Sequence, residues 1–524
     1  MPLERDEGEY AYAGQLILQG ISPYQEAYSV KLPGTSVAYA LIMLVFGKTV
    51  SGIHLGMIFV TSASTMLVFL IGRRLVDSVT GVVAAWTFSM LSANPSLFGL
   101  AGHATHFVVL FSLTGWLMLV VPNRQRSPAL LLSAGIAFGI AMLMKQHAVF
   151  LAAFTAAWLC RPMPGTGADP SWPARARHIG VFLIGCLLPL LVMCVWLWHA
   201  GVFEKFVFWT FSYAREFAFN QPLVKAPVRL GMAFARIAEP SWGLWAMAAA
   251  GLGLLFWEKS LRPARTFLAG LLVASFASIC PGLVFREHYF LLLVPAVALL
   301  TGVAVSAGVR CFSAGEWWRT VVGVSPFIYL LAFSSGMYEN RAIWFSLAPV
   351  EASYATFGRD QPFVAAIAVA EYIRVHSAPN DRVVVLGSEP EIYFLSQRHS
   401  ATGYLYVYPL MEPQPFALRM QEEFIHDIEA TRPEYAVSVN LPNSWLPRPD
   451  SKRLVLKWWQ DYSKSNYDIV GVIGIPDSGE PIYKWDQEAR DNKFIYPMRL
   501  TVFRWKQSAA ATLGGVGLSS SKEQ

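Results

Sequence analysis

The sequence predicts an α-helical polytopic membrane protein that ends in an α/β domain outside the membrane. Three observations predict it. Of the 524 residues, 54% are hydrophobic and 15% are charged, against about a quarter charged in a typical soluble domain. Apolar runs recur between residues 50 and 340, many near the roughly 17–25 residues that cross a bilayer as helix. Residues 358–506 lose these runs and alternate short strand-like stretches with helical patterns, the mark of a small α/β domain.

Ten spans are expected, at 50–71, 79–95, 105–122, 128–144, 147–160, 179–200, 241–257, 264–283, 288–308 and 320–337. The stretch TSVAYALIMLVFG (35–47) is too short to span and is expected to lie in the interface or to re-enter. Cys160, Cys186, Cys194, Cys280 and Cys311 sit in or beside apolar segments. They read as small core residues, without disulfide framework or metal spacing. The net charge of +6 suits cytoplasmic loops, and no nucleic-acid partner is expected.

Lys and Arg set the orientation. Arg73 and Arg74, Arg124 and Arg126, Arg161, Arg175 and Arg177, Lys259, Arg262 and Arg265, and Arg310 and Arg319 fall in alternate connections. These connections are assigned to the cytoplasm. The 201–240 loop, with Lys205, Arg215, Lys225, Arg229 and Arg236, departs from the pattern; long loops obey it less strictly. An even number of spans places both ends outside, so Asp6, Glu7 and Glu9 face the periplasm or its equivalent. Nothing apolar precedes them. The expectation is that a first transmembrane helix belongs upstream of Met1, or that the first span carries the N-terminal segment across.

In the C-terminal region, DRVVVLG (381–387), EYAVSVN (434–440), YDIVGVIG (467–474) and FIYPMRLTVFRW (494–505) read as strands. EPEIYFLSQR (389–398) and PFALRMQEEFIHDIEA (415–430) read as helices. No residue there shows a catalytic spacing. Residues 508–524 read as a disordered tail.

Three stretches outside the membrane carry candidate chemistry. In ERDEGEYAYAGQLILQG (4–20), residues 8–19 read as an amphipathic helix on the membrane surface. A carboxylate held there suits a general base; the plain alternative is acid placed for the helix dipole. In YSVKLPGTSVAYAL (28–41), Lys31 precedes a Leu-Pro-Gly turn. It suits a lipid phosphate or a snorkelling role. In CPGLVFREHYFLLLVPAVALL (280–300), Arg286, Glu287, His288 and Tyr289 cluster at a span's mouth. They suit phosphate recognition or interfacial anchoring. Lys145 and His147 interrupt an apolar region in MLMKQHAVF (142–150) and mark a tight turn between spans. His103 and His106 stand three apart at a helix end. They read as a polar cavity wall or a cap, since no third metal ligand is evident nearby.

These elements, in this order, resemble the GT-C membrane glycosyltransferases, in particular the protein O-mannosyltransferases and lipid A aminoarabinose transferases. The matching stretches are RDEGEYAYAGQLILQGISPY (5–24), KLPG (31–34), MKQ (144–146) and REHYFLLLVPAVALL (286–300), spread over residues 4–340. The family's helix before the acidic pair has no counterpart here. The resemblance implies a GT-C fold: a first extracytoplasmic loop with juxtamembrane helices at 1–49, a multi-span bundle at 50–340, and an extracytoplasmic α/β domain at 341–507. It implies Asp6 as catalytic base, with Glu7 orienting it or binding acceptor. Lys31, Lys145 and Arg286 would face the donor phosphate, supported by His288 and Tyr289. Glu9, His103 and His106 are weaker cavity or acceptor candidates.

The implied reaction takes a sugar from a polyprenyl-monophosphate-linked donor to an acceptor hydroxyl on a lipid, glycan or protein, with inversion. No cofactor is required, and a divalent metal is left open. The implied location is a bacterial inner or plasma membrane, with the active site and C-terminal domain extracytoplasmic. That domain is expected to help select the acceptor. The main rival is a transporter or lipid-linked-glycan flippase, against which stands the absence of a visible sequence repeat. A second rival is a non-catalytic scaffold, which would tolerate a charge-neutral change at Asp6.

Overall fold

The computed structural model describes residues 1–120, 127–161, 171–219, 223–311, 322–476, 479–491 and 496–506. The expected tail at 508–524 and Arg124, Arg126 and Arg319 lie outside the described residues. The chain divides into two compact units, Met1–Gly358 and Arg359–Gln524.

The first unit is helical. Its opening helices are α1 (Arg5–Leu18), α2 (Gly34–Phe46), α3 (Val50–Leu75), α4 (Ser78–Ser92), α5 (Ala104–Leu119), α6 (Pro128–Met144), α7 (Val149–Leu159) and α8 (Trp172–His199). Four further long helices follow: Trp242–Trp257, Arg262–Ile279, Val294–Cys311 and Ser325–Phe345. Local chemistry starts several of them. The side chains of Thr49, Asp77 and Ser127 cap α3, α4 and α6 by accepting backbone N–H groups. Among the described residues, three helices are long and apolar enough to cross a membrane by length and composition: Val50–Leu75, Trp172–His199 and Val294–Cys311. The protein is an integral membrane protein, and the shorter apolar helices pack around these three. Small residues permit the close crossing of α6 and α8. A Cβ on Gly135 of α6 would lie 2.1 Å from the Phe182 carbonyl oxygen of α8, and one on Gly185 of α8 2.4 Å from that of Leu132.

Four expectations need correction. The acidic N-terminal helix is not a surface helix: most of α1 from Glu7 to Leu16 is buried against its neighbours, because its polar residues are satisfied inside the unit. Residues 288–292 do not begin a span; they form a 3₁₀ turn over Glu287–Leu292, and the helix starts at Val294. The 201–240 stretch is not an open loop but carries helices Phe203–Val207 and Ala226–Ala238 around a π-helical turn at Phe208–Tyr213. A boundary at 340/341 would cut the helix Ser325–Phe345, and the contacts divide instead after Gly358.

The second unit is built on one mixed sheet. Its strands are β1 (Arg382–Leu386), β2 (His399–Ser400), β3 (Tyr435–Asn440), β4 (Tyr467–Gly474), β5 (Ile482–Trp485) and β6 (Arg499–Trp505). Their order is β2-β1-β3-β6-β4-β5. β1 runs parallel to β2 and β3, and the remaining pairs are antiparallel. The apolar run Val383–Leu386 is fully buried, as a parallel strand covered on both faces requires.

Candidate active site

The site starts with the capping of α1. The Glu4 carboxylate accepts the Glu7 N–H at 2.9 Å, and the Glu7 carboxylate accepts the Glu4 N–H at 3.2 Å. This reciprocal box satisfies two orphan donors of the first turn and sends Asp6 and Glu7 in different directions. Glu7 is 1% exposed. It accepts the Gly102 N–H at 2.7 Å and lies 3.2 Å from His54 Nε2 on α3. Its placement ties α1 to α3 and to the loop before His103. Asp6 is the more open carboxylate.

Lys31 meets this helix from the next segment. Its Nζ donates to Asp6 at 2.9 Å and to Glu9 at 2.6 Å, and sits 4.4 Å from the Tyr10 ring centre. Glu9 is held in turn by the Ser29 hydroxyl at 2.6 Å. From the third segment, His103 Nδ1 stands 3.8 Å from Asp6 and 3.7 Å from Glu4. His106, one turn along, contacts the His103 carbonyl through Nδ1 at 3.3 Å.

The C-terminal end of α6 supplies Lys145. Its Nζ lies 3.6 Å over the Tyr289 ring, a cation–π geometry. His147 accompanies it, with Nδ1 2.7 Å from the Ser278 carbonyl and its ring edge-on to Tyr289. Left-handed backbone at Leu283 and Phe285 (φ 50° and 51°) turns the chain into the last segment. There the His288 ring stacks on His103 at 4.1 Å and 11°. Glu287 turns aside to pair with Arg236. Arg286 is exposed, yet its charge acts on Lys145 and His288.

Burial sets the electrostatics. Burial alone would raise the Asp6 carboxyl, but Lys31, His103 and His288 together hold it well below its usual value. Burial alone would lower Lys31, but Asp6 and Glu9 hold it well above. Lys145 goes the other way. Burial depresses it strongly, Lys31 and Arg286 add to the effect, and the opposing pull of Asp6 does not overcome them. Burial and the charge of Asp6 raise Glu4 to about 7.

Asp6, Glu9, Lys31, His103 and His288 thus converge, and Lys145 and Tyr289 adjoin them. Glu7 braces the site from behind, and His106 backs His103. Sequence reasoning missed Glu4, His54, Ser29 and the role of Gln146. A Glu-x-x-Glu capping box carries a weaker signal than the usual Ser or Thr form, and His54 is a lone polar residue on an apolar helix. Asp6, His103 and His288 have ligand atoms within 4.8 Å of one another. Two imidazoles and a carboxylate fit a divalent ion. His106, which the spacing paired with His103, is not in this group.

The helical unit thus holds a carboxylate–lysine cluster, and a separate sheet unit follows it in the chain. Comparison with known proteins finds one sequence family over part of the helical unit and a similar fold among solved structures. Residues 31–199 match the sequence family described as dolichyl-phosphate-mannose-protein mannosyltransferase. The structure of ArnT from Cupriavidus metallidurans bound to undecaprenyl phosphate is similar in fold, with a TM-score of 0.54 and 13% identity over 96% of this chain and 94% of that one. The archaeal oligosaccharyltransferase AglB from Archaeoglobus fulgidus aligns at a TM-score of 0.48 and 12% identity, over 93% of this chain and 71% of that one. No curated protein matches by sequence.

Proposed function

We propose that this chain transfers a sugar from a polyprenyl-monophosphate-linked donor to an acceptor hydroxyl on the extracytoplasmic side of a bacterial inner or plasma membrane, with inversion. The acceptor is a lipid, a glycan or a protein. One observation carries the reading: a partly open carboxylate, Asp6, shares a largely enclosed site with two lysines brought from separate segments. The match to a dolichyl-phosphate-mannose-dependent family and the undecaprenyl phosphate bound to ArnT favour a lipid monophosphate as the anion that the lysines meet.

Each group then has a task. Asp6 takes the acceptor hydroxyl proton as the oxygen attacks the anomeric carbon. The bond from that carbon to the phosphate oxygen breaks, and its electron pair leaves with the lipid phosphate. Lys31, Lys145 and Arg286 stabilise the growing negative charge where low dielectric makes it count. Lys31 bridges Asp6 and Glu9 in the free site. A donor phosphate that drew Lys31 off Asp6 would raise the carboxylate's proton affinity, while Glu9 kept the lysine within reach. His288 and Tyr289 support the phosphate side.

The test uses membranes containing the chain and radiolabelled polyprenyl-phosphate sugars, following loss of lipid-linked label. Asp6→Asn is expected to lower turnover by about 10²- to 10⁴-fold and to retain donor binding. Equal turnover would move catalysis away from Asp6. If a divalent ion sits in the site, Asp6, His103 and His288 would hold it and it would supply Lewis-acid stabilisation. The proton transfer to Asp6 and the departure of the lipid phosphate require no such ion, so turnover is expected to survive chelator treatment. Loss of activity restored by zinc or manganese would reassign Asp6 from base to ligand.

A further inference from the structure

The two lysines belong to turns more than a hundred residues apart, and three contacts lock those turns together. Gln146, the neighbour of Lys145, donates through Nε2 to the carbonyl of Val30, the neighbour of Lys31, at 3.0 Å. The Thr35 hydroxyl at the start of α2 donates to the Met144 carbonyl at the end of α6, also at 3.0 Å, and Thr35 is 1% exposed. Between them, Gly34 presses on the main chain of α6. A Cβ there would meet the Leu143 carbonyl carbon and oxygen at 2.5 Å.

The bracing works against a force. Lys31 and Lys145 are close enough that the first lowers the proton affinity of the second. Like charges in a low-dielectric site push their carriers apart. An anion bound between them relieves the repulsion, but only if both ammonium groups can reach it. Each ångström of slack costs alignment of charge-assisted hydrogen bonds.

We infer that Gln146 and Thr35 are positioning residues: they fix the separation of Lys31 and Lys145, and so the affinity for the donor's phosphate, without touching the donor. The inference rests on the lysine–phosphate reading above. It explains why MKQ and KLPGT carry polar residues beside their lysines: Gln146 answers Val30, and Thr35 answers Met144.

The experiment measures binding of undecaprenyl phosphate to the full chain in detergent, together with donor KM and kcat in membranes. Gln146→Ala and Thr35→Val are each expected to weaken phosphate binding and to raise donor KM by about fivefold, the equivalent of one hydrogen bond. Because the same lysines stabilise the charge that grows on the leaving phosphate, kcat is expected to fall as well, by no more than the rise in KM. Thr35→Ser, which keeps the hydroxyl, is expected to bind as wild type does. Lys145→Met serves as the control that separates the two readings. If Lys145→Met binds undecaprenyl phosphate normally, the lysine–phosphate reading fails. If Lys145→Met loses binding while Gln146→Ala and Thr35→Val keep it, the positioning inference fails alone. A fall in kcat with unchanged KM would also overturn it. Thermal unfolding of each variant identifies any that fails to fold, and the other then carries the test.

Discussion

Two buried carboxylate networks, one in each unit, solve the same problem in opposite ways. In the sheet unit, Glu389 is fully buried. Its Oε2 accepts the Ser388 N–H at 2.6 Å and the Ser444 hydroxyl at 2.8 Å. Ser388 in turn donates its hydroxyl to the Ser444 carbonyl at 2.6 Å and accepts the Val407 N–H at 3.1 Å. These partners are neutral and join the loops that follow β1 and β3. In the helical unit, Asp6 and Glu9 are answered by a cation from another segment, and a second cation remains. Among the described residues no carboxylate pairs with Lys145, which rests on an aromatic face. A network closed by neutral neighbours stabilises a fold. A half-buried lysine without a paired carboxylate, its proton affinity lowered by burial, would gain most from an arriving anion, which favours its charged form.

The largest expected effect tests that second statement. Lys145→Met should weaken donor binding by about 10- to 100-fold, the worth of one charge-assisted hydrogen bond. It should leave thermal stability unchanged or raised, since it removes a desolvated amine and strands no carboxylate. Lys31→Met should behave differently. It leaves Asp6 and Glu9 uncompensated, so a stability loss of about 3–5 kcal/mol should accompany the loss of binding. Binding titrations with undecaprenyl phosphate and thermal unfolding in detergent read both. Equal destabilisation by the two variants would erase the distinction between paired and waiting lysine.

The closed network makes a smaller, opposite prediction. Glu389→Ala leaves the Ser444 hydroxyl buried without its carboxylate acceptor, while the Ser388 N–H keeps Ser444 Oγ at 2.9 Å, at a cost of about 1–3 kcal/mol to the sheet unit. Donor KM should not move. Hydrogen exchange at β1 and β3, measured beside donor KM, checks the pair of outcomes. A changed KM with unchanged exchange would make Glu389 a functional residue.

The same contrast explains what could be read in advance. The apolar runs for the helices and the buried strands at 381–387, 434–440 and 467–474 were legible because burial imposes a period on the sequence. Lys145 stood out because charge in an apolar region is rare, Asp6 and His288 because they sit in polar clusters, and Lys31 because it precedes a Leu-Pro-Gly turn; the family resemblance supplied their roles. The burial of α1 was not legible. Its acidic face is satisfied by Gly102, His54 and Lys31, which lie on other segments. Strand β5 (Ile482–Trp485) was missed because four residues carry little pattern. Glu389 was passed over because it meets serines and main chain, which no spacing announces.

The smallest expected effect separates the clusters by pH. Glu4 lies beside Asp6 and His103, and its carboxyl titrates near 7 instead of its usual 4.5 because burial and the Asp6 charge favour the neutral form. A carboxyl raised on folding stabilises the native state fully below its unfolded value, and that stability is lost as pH rises through the folded value. Between pH 6 and 8 the loss should be about 1 kcal/mol. Glu4→Gln keeps the size of the side chain and an oxygen for the Glu7 N–H, but has nothing to titrate. Its thermal midpoint should therefore change less than that of wild type over this range, and the two curves should diverge most at pH 8. The Glu389→Ala variant, altered in the other unit, should keep the wild-type pH response. If Glu4→Gln follows the wild-type curve, the pH response of the helical unit comes from another group, and the strain of packing Glu4 against Asp6 is relieved by other means.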